Sequence, residues 1–371
     1  MLETRTLRVA TVSFILVVGG CGDHQLTSAS GDPVLSTHLA ASVPGGGSFF
    51  VGNLDDTNPD ASGIVRFDAA TGAFIDVFVP QGSGGLDLPC CMVFGPDENL
   101  YVGSLQTSSI HRYNGATGEF VDVFVPSGSG GLVVPLVLQF GPDDNLYVGD
   151  ILTNSILRYD GTTGAFIDVF VPSGSGGLTS EFDPQFFLWG PDGHLYVGSV
   201  GTSSVLRYDG VTGEFMDVFV SPESGGLLGP TGLDFRPDGR LYVGSAFSNE
   251  ILRYDAASGA FIDVFVPAGS GGLITPIDIN FGPDNNLYVV SLGTGSILRY
   301  HGITGKFIDV FASDGLTLPR SLLFKVKITV CHQPPGKPAK ARTITILHQS
   351  GAGHVAHGDA VGACPDSEDA T

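Results

Sequence analysis

The chain has 371 residues, 54 of them Gly, with 42% apolar positions, 15% charged positions and a formal net charge of -21. So apolar a composition excludes a disordered polyelectrolyte, and so much Gly points to short strands joined by tight turns, not to helices. The acid excess repels phosphate, which excludes nucleic acid and anionic lipid surfaces as partners. The sign of charge also divides the chain. No Lys occurs before Lys306, whereas Lys325, Lys327, Lys337 and Lys340 crowd the C-terminal part.

The first 21 residues read as an export signal: Arg5 and Arg8 precede an apolar run, Val9–Val18, too short for a permanent membrane span. The run ends in Val18-Gly19-Gly20-Cys21, which resembles the bacterial lipoprotein cleavage box. The resemblance implies cleavage before Cys21 and a diacylglycerol on its sulfur. The expected address is therefore the bacterial cell envelope, with membrane attachment through a lipid anchor only. Residues 22–43 read as a polar tether.

Residues 44–324 repeat. An aromatic-Val-Gly landmark at Phe50 returns as Tyr101, Tyr147, Tyr196, Tyr242 and, altered to Tyr-Val-Val, Tyr288, at intervals of 51, 46, 49, 46 and 46 residues. Such a period suits propeller blades. The unit around Tyr147 reads as four strands, A to D: Pro135–Phe140, Asn145–Gly149, Ser155–Tyr159 and Ala165–Val171, with Gly and Asp at the turns. The first unit begins at its second strand, and Leu318–Phe324 repeats strand A with no strand B after it. The expected fold is therefore all-β: a six-bladed β-propeller of four-stranded antiparallel blades, with Arg320–Phe324 pairing with Phe49–Gly52 to complete the first blade. A small C-terminal module, residues 325–371, follows.

The segments PDG-x-LYVGS, SILRYD and G-x-FIDVF resemble the NHL and SMP-30/gluconolactonase-like propellers and the streptogramin lyase-like group. The resemblance implies a propeller; fold and chemistry separate readily on such scaffolds.

Residues present in every unit read as structure. Arg66, Arg112, Arg158, Arg207, Arg253 and Arg299 in strand C fall opposite Asp76, Asp122, Asp168, Asp217, Asp263 and Asp309 in strand D. A hairpin brings each pair together. The aromatic residue ending each strand A, Phe or Trp189, is expected to pack between blades.

Function is sought where units differ. The innermost strand A would line the axial channel, and its polar variants are Gln139, Asp234 and Asn280 at one level, then Gln185, Thr231, Asp278 and Arg320 nearer the strand start. A channel that merely holds water would use the same residues. Lactonases of the SMP-30 type imply a Glu/Asn/Asp metal set, but Glu119 and Glu214 read as surface. Streptogramin lyases imply a His at the propeller face, but His111, His194 and His301 fall outside the expected loops. The function expected is a binding or scaffold module for a small molecule or an envelope protein. A metal-dependent lyase or hydrolase at the channel mouth is the alternative.

Three further features bear chemistry. Asp56, Asn58 and Asp60 have the start of a calcium loop, without its later Gly and Glu. Cys90-Cys91 opens one strand A; adjacent cysteines allow a vicinal disulfide, a metal or, as preferred here, buried thiols. Cys331-His332 and His354-x-x-His357 begin and end a segment closing on Cys364. It resembles a short Cys-His module of exported bacterial proteins. A Cys331–Cys364 disulfide would contribute roughly 3–4 kcal/mol; zinc on Cys331, His354 and His357, with His332 or Cys364, is the competing reading. Calcium or zinc is the cofactor class these segments suggest.

Overall fold

The computed structural model describes residues 47–54, 62–179, 183–236 and 238–325, together with the backbone of three later strands, Lys327–His332, Arg342–Leu347 and Ala360–Val361. Residues 47–325 build six four-stranded antiparallel sheets, the blades of a propeller. The innermost strands, from blade one to blade six, are Leu318–Lys325, Pro89–Phe94, Pro135–Phe140, Phe186–Trp189, Pro230–Arg236 and Pro276–Phe281. The blade around Tyr147 follows its expected strands: Pro135–Phe140, Leu146–Asp150, Ser155–Tyr159 and Phe166–Val171.

Blade one is completed by the far end of the propeller chain. Leu318–Lys325 pairs with Ser48–Leu54 in antiparallel register, Phe49 opposite Phe324, Val51 opposite Leu322 and Gly52 opposite Ser321. Asn53 latches this closure. It is fully buried, its Nδ2 donates to Gly315 O at 3.1 Å, and its Oδ1 accepts from Thr317 N at 2.9 Å and Leu318 N at 3.2 Å.

The blades bury each other through one contact repeated around the ring. The strand B aromatic of each blade meets the strand A aromatic of the next, at ring centroid distances of 4.6–5.4 Å and steep interplanar angles. Tyr288 against Phe324 and Phe50 against Phe94 carry this contact across the closing blade. Each edge-on pair contributes about 0.5–1.5 kcal/mol beyond its buried area.

The strand C arginines meet their strand D partners as expected. Each Arg Nε lies 2.9–3.2 Å from its Asp Oδ1, with a second bond from Nη2 to Oδ2. Each guanidinium also covers the strand D Phe of its blade, 4.6–5.3 Å from the ring centroid.

After Lys325 the backbone forms a separate three-stranded sheet in which Lys327–His332 lies between Arg342–Leu347 and Ala360–Val361. Cys331 and His332 close its central strand; His354, His357 and Cys364 lie outside the described residues, as do Cys21, Asp56, Asn58 and Asp60.

Candidate channel site

Five of the six inner strands begin with the same irregularity, one extra residue just after a Pro. In blade six Pro276 faces Ser291 and Asp278 faces Val290, so one residue bulges out between them. In blade one the bulge falls at Arg320, between Pro319 opposite Asn53 and Ser321 opposite Gly52. Asp278 therefore lies one residue further along its strand than Thr231, Gln185 and Arg320 do, not level with them. The bulge is shared by blades five, six and one and shifts none of them against the others. Counted from the common Pro, Asp278 falls level with Gly232 and Ser321, and Thr231 with Ile277 and Arg320, which corrects the expected grouping.

Along the innermost strands the polar side chains concentrate on one side. Blades five, six and one carry Thr231, Asp234, Asp278, Asn280, Arg320 and Ser321, with Ile277 and Leu323 as apolar members at the same positions. Blades two to four carry Cys90, Cys91, Val93, Leu136, Val137, Phe186 and Leu188 there, with Gln139 and Gln185 as their strongly polar members.

Most of the polar groups reach the backbone of the next blade. Thr231 Oγ1 donates to Pro276 O at 2.8 Å and lies 3.2 Å from Gly244 O. Asp234 Oδ2 accepts from Phe281 N at 3.0 Å. Asp278 Oδ2 accepts from Leu322 N at 2.8 Å, and Asn280 Nδ2 donates to Leu322 O at 3.1 Å. These residues staple blade five to six and six to one. Gly232 permits the approach: a Cβ there would stand 2.6 Å from Ile279 N.

The two carboxylates remain unusual. Burial pushes Asp278 up to about 7, and the negative Asp234 adds to it, while the Leu322 and Ile279 N–H groups pull the other way. Burial likewise raises Asp234 to about 7, against the Phe281 N–H and the nearby Arg236 guanidinium. Asp278 Oδ1 has no partner in hydrogen-bonding geometry. Near neutral pH both groups are poised between acid and anion.

Among the described residues, no three or more His, Cys, Asp or Glu side chains stand together as a metal set. Glu119 and Glu214 are exposed in their turns.

His111 replaces an apolar residue in strand C of blade two and is buried. Its proton can be placed from its neighbours. Ser104 Oγ donates to Asp87 O at 2.9 Å and accepts from Thr107 Oγ1 at 2.5 Å. Thr107 must then accept from Ser109, 2.6 Å away, and Ser109 from His111 Nε2, 2.9 Å away. So the ring donates to Ser109 and does not take its proton. That is the reverse of what an activated serine nucleophile needs. Burial lowers the His111 pKa, consistent with a neutral ring.

A surface hollow of about 340 Å³ lies elsewhere, at the turns of blades three and four, lined by Pro142, Asp143, Tyr147, Arg158, Gly193, Gly210 and Val211. Asp143, Tyr147 and Arg158 there belong to a network that recurs around Tyr101, Tyr196 and Tyr288, so the channel, where blades differ, is the better candidate.

No protein-family model and no curated protein matches this chain in sequence. Solved structures do match its fold. A structure titled as a nidogen/laminin complex is similar with a TM-score of 0.59 at 17% identity, over 76% of this chain and 99% of that one. A putative 6-phosphogluconolactonase from Bacteroides fragilis gives 0.54 at 17% identity, over 79% and 99%. Virginiamycin B lyase from Staphylococcus aureus gives 0.47 at 17% identity, over 67% and 80%. At these identities what the first two share with this chain is the propeller.

Proposed function

We propose that the chain is an exported, lipid-anchored propeller that binds a small organic molecule at its axial channel. One observation carries this reading: the innermost strands of three adjacent blades hold two acids and most of the polar side chains, while those of the other three are mainly apolar. A ligand with a cationic or hydrogen-bond-donating edge and an apolar body suits such a wall, since binding sites combine apolar lining with a few placed polar groups. Asn280 and one oxygen of each Asp are already spent on the backbone, which favours binding over a reaction requiring all of them free. The signal Val18–Cys21 supports the anchor.

The test is a thermal-shift screen of amphipathic amines against their neutral analogues at pH 8, where both carboxylates are mostly ionised. Amines are expected to raise Tm in the wild type, and Asp234→Asn, which keeps an acceptor for Phe281 N, should lose at least half of the shift. Equal shifts in both proteins would defeat the channel reading. Cys21→Ser should move the protein from the membrane fraction to the soluble one; unchanged attachment would defeat the anchor.

A further inference from the structure

Cys90 and Cys91 sit at a break in the pairing of blade two. Pro89 faces Ser104 and Met92 faces Val102, so both cysteines lie opposite the single residue Gly103. In an unbroken strand successive side chains point to opposite faces; two residues set against one re-aim them. The two Sγ atoms are 3.0 Å apart, and both thiols are free and buried. They occupy the space a side chain at Gly103 would need. A Cβ there would stand 2.4 Å from Cys91 Sγ and 3.5 Å from Cys90 Sγ.

Blade five separates the structural part of this arrangement from the rest. It carries the same bulge, with Thr231 and Gly232 opposite Gly244. Thr231 Oγ1 donates across the seam to Pro276 O at 2.8 Å, and Cys90 Sγ makes the matching contact to Pro135 O at 3.1 Å. A bond across the seam thus accounts for a donor at position 90. Cys91 Sγ also approaches Pro135 O, at the longer distance of 3.6 Å. But the seam does not require a second donor at 91, since blade five makes its bond with Gly232 there and blade three has Val137.

We propose that Cys90 and Cys91 form a reversible dithiol–disulfide site whose oxidant is a disulfide. The Cys90 thiol gives up its proton, and its thiolate attacks one sulfur of the donor, breaking the donor S–S bond and releasing one thiolate. The Cys91 thiolate, its proton also lost to solvent, then attacks Cys90 Sγ and displaces the second. One S–S bond forms in the chain, one breaks in the donor, and two electrons pass to the donor, which leaves as two thiols. Bond formation draws Cys90 Sγ away from Pro135 O, so the redox state acts on the seam between blades two and three.

The reaction can be read in one peptide. Cleavage after Arg66 and Arg112 gives a tryptic fragment holding Cys90, Cys91 and no other cysteine. Folded full-length protein, reduced and desalted, is incubated with cystamine, alkylated, digested and weighed. The fragment is expected to be lighter by two hydrogens and unalkylated, and to regain two alkylatable thiols after dithiothreitol. Cys90→Thr combined with Cys91→Gly copies blade five; it should melt within a few degrees of the wild type before and after cystamine, while only the wild type changes its melting on oxidation. A wild-type fragment that stays a fully alkylated dithiol, or stops at a cystamine adduct, overturns the proposal.

Discussion

Single side chains in this ring act mostly between blades, and the sharpest case is Asp278. It is 5% exposed, and burial raises it to about 7 from an ordinary value of 3.8. The folded state therefore holds this proton more tightly than the unfolded one between about pH 4 and pH 7, so stability from this group falls as pH rises through that window and is flat above it. A shift of about three units corresponds to at most about 4 kcal/mol. His111 pulls the other way: its lowered value costs stability as pH falls below its ordinary 6.5. Asp278→Asn keeps an acceptor for Leu322 N and removes the charge, so it isolates the first effect. Urea unfolding at pH 5 and pH 8 should find Asp278→Asn more stable than wild type at pH 8, by roughly 1–4 kcal/mol, with a smaller gain at pH 5. An equal gain at both pH values would show that Asp278 does not titrate in between. The polar identities of the channel residues were legible from the repeats, because they interrupt otherwise apolar strands. Their bonds to the next blade were not. The level of Asp278 is open to a closer alignment, because Pro276-Ile277-Asp278 matches Pro230-Thr231-Gly232, whereas nothing in a Cys-Cys dipeptide says that both thiols point the same way.

At the scale of the element, the C–D hairpin is the unit that repeats with least change. Arg158 shows why. Its guanidinium binds Asp168 through Nε at 3.0 Å and Nη2 at 2.5 Å, lies 5.1 Å from the centroid of Phe170, and reaches Tyr147 OH at 3.5 Å. The Asp168 side chain is 44% exposed, so solvent screens the ion pair and its share is about 0.2–1 kcal/mol. Cover over the ring contributes about 0.5–1 kcal/mol more. Arg158→Ala should then cost roughly 1–2 kcal/mol and Asp168→Ala less. A double-mutant cycle followed by urea unfolding should give a coupling of about 0.2–1 kcal/mol; a coupling of zero would mean that the arginine acts by packing alone. The pairing was legible because Arg and Asp recur at one spacing in all six units, as a cross-strand pair must. The carboxylate also serves the outer edge. Strand D of this blade, Phe166–Val171, exposes Phe166, Ile167 and Val169 at 39–44%. A charge among them opposes pairing with another chain.

For the whole molecule, the question is why the two ends of the propeller chain share a blade. A single blade leaves both apolar faces open; a ring of six covers all of them, provided that it closes. Closing a loop of six units instead of one costs only about 1.6 kcal/mol more by the (3/2)RT ln n rule. Against that stand the inner strand of blade one, the Asn53 latch and two aromatic contacts, Tyr288 with Phe324 and Phe49 with Phe324 at 4.9 and 5.6 Å. This closure was legible because one unit lacked strand A and a surplus copy stood after the last. The latch was not, since Asn53 stands where other blades use Ser104, Asp150, Ser199, Ser245 and Ser291. Two truncations test the argument. A chain ending at Lys325 keeps every blade and should melt as one cooperative unit. A chain ending at Thr317 loses the innermost strand of blade one, leaving Val51 and its neighbours on an open edge; it should lose several kcal/mol, as removal of buried groups from a core does, and form soluble aggregates in size-exclusion chromatography. A synthetic peptide of residues 317–325, added in excess, should restore the monomer and much of the lost Tm, because the strand is joined to its partners by pairing and not by local chain connection. Equal melting of the two truncations would show that blade one holds without its fourth strand.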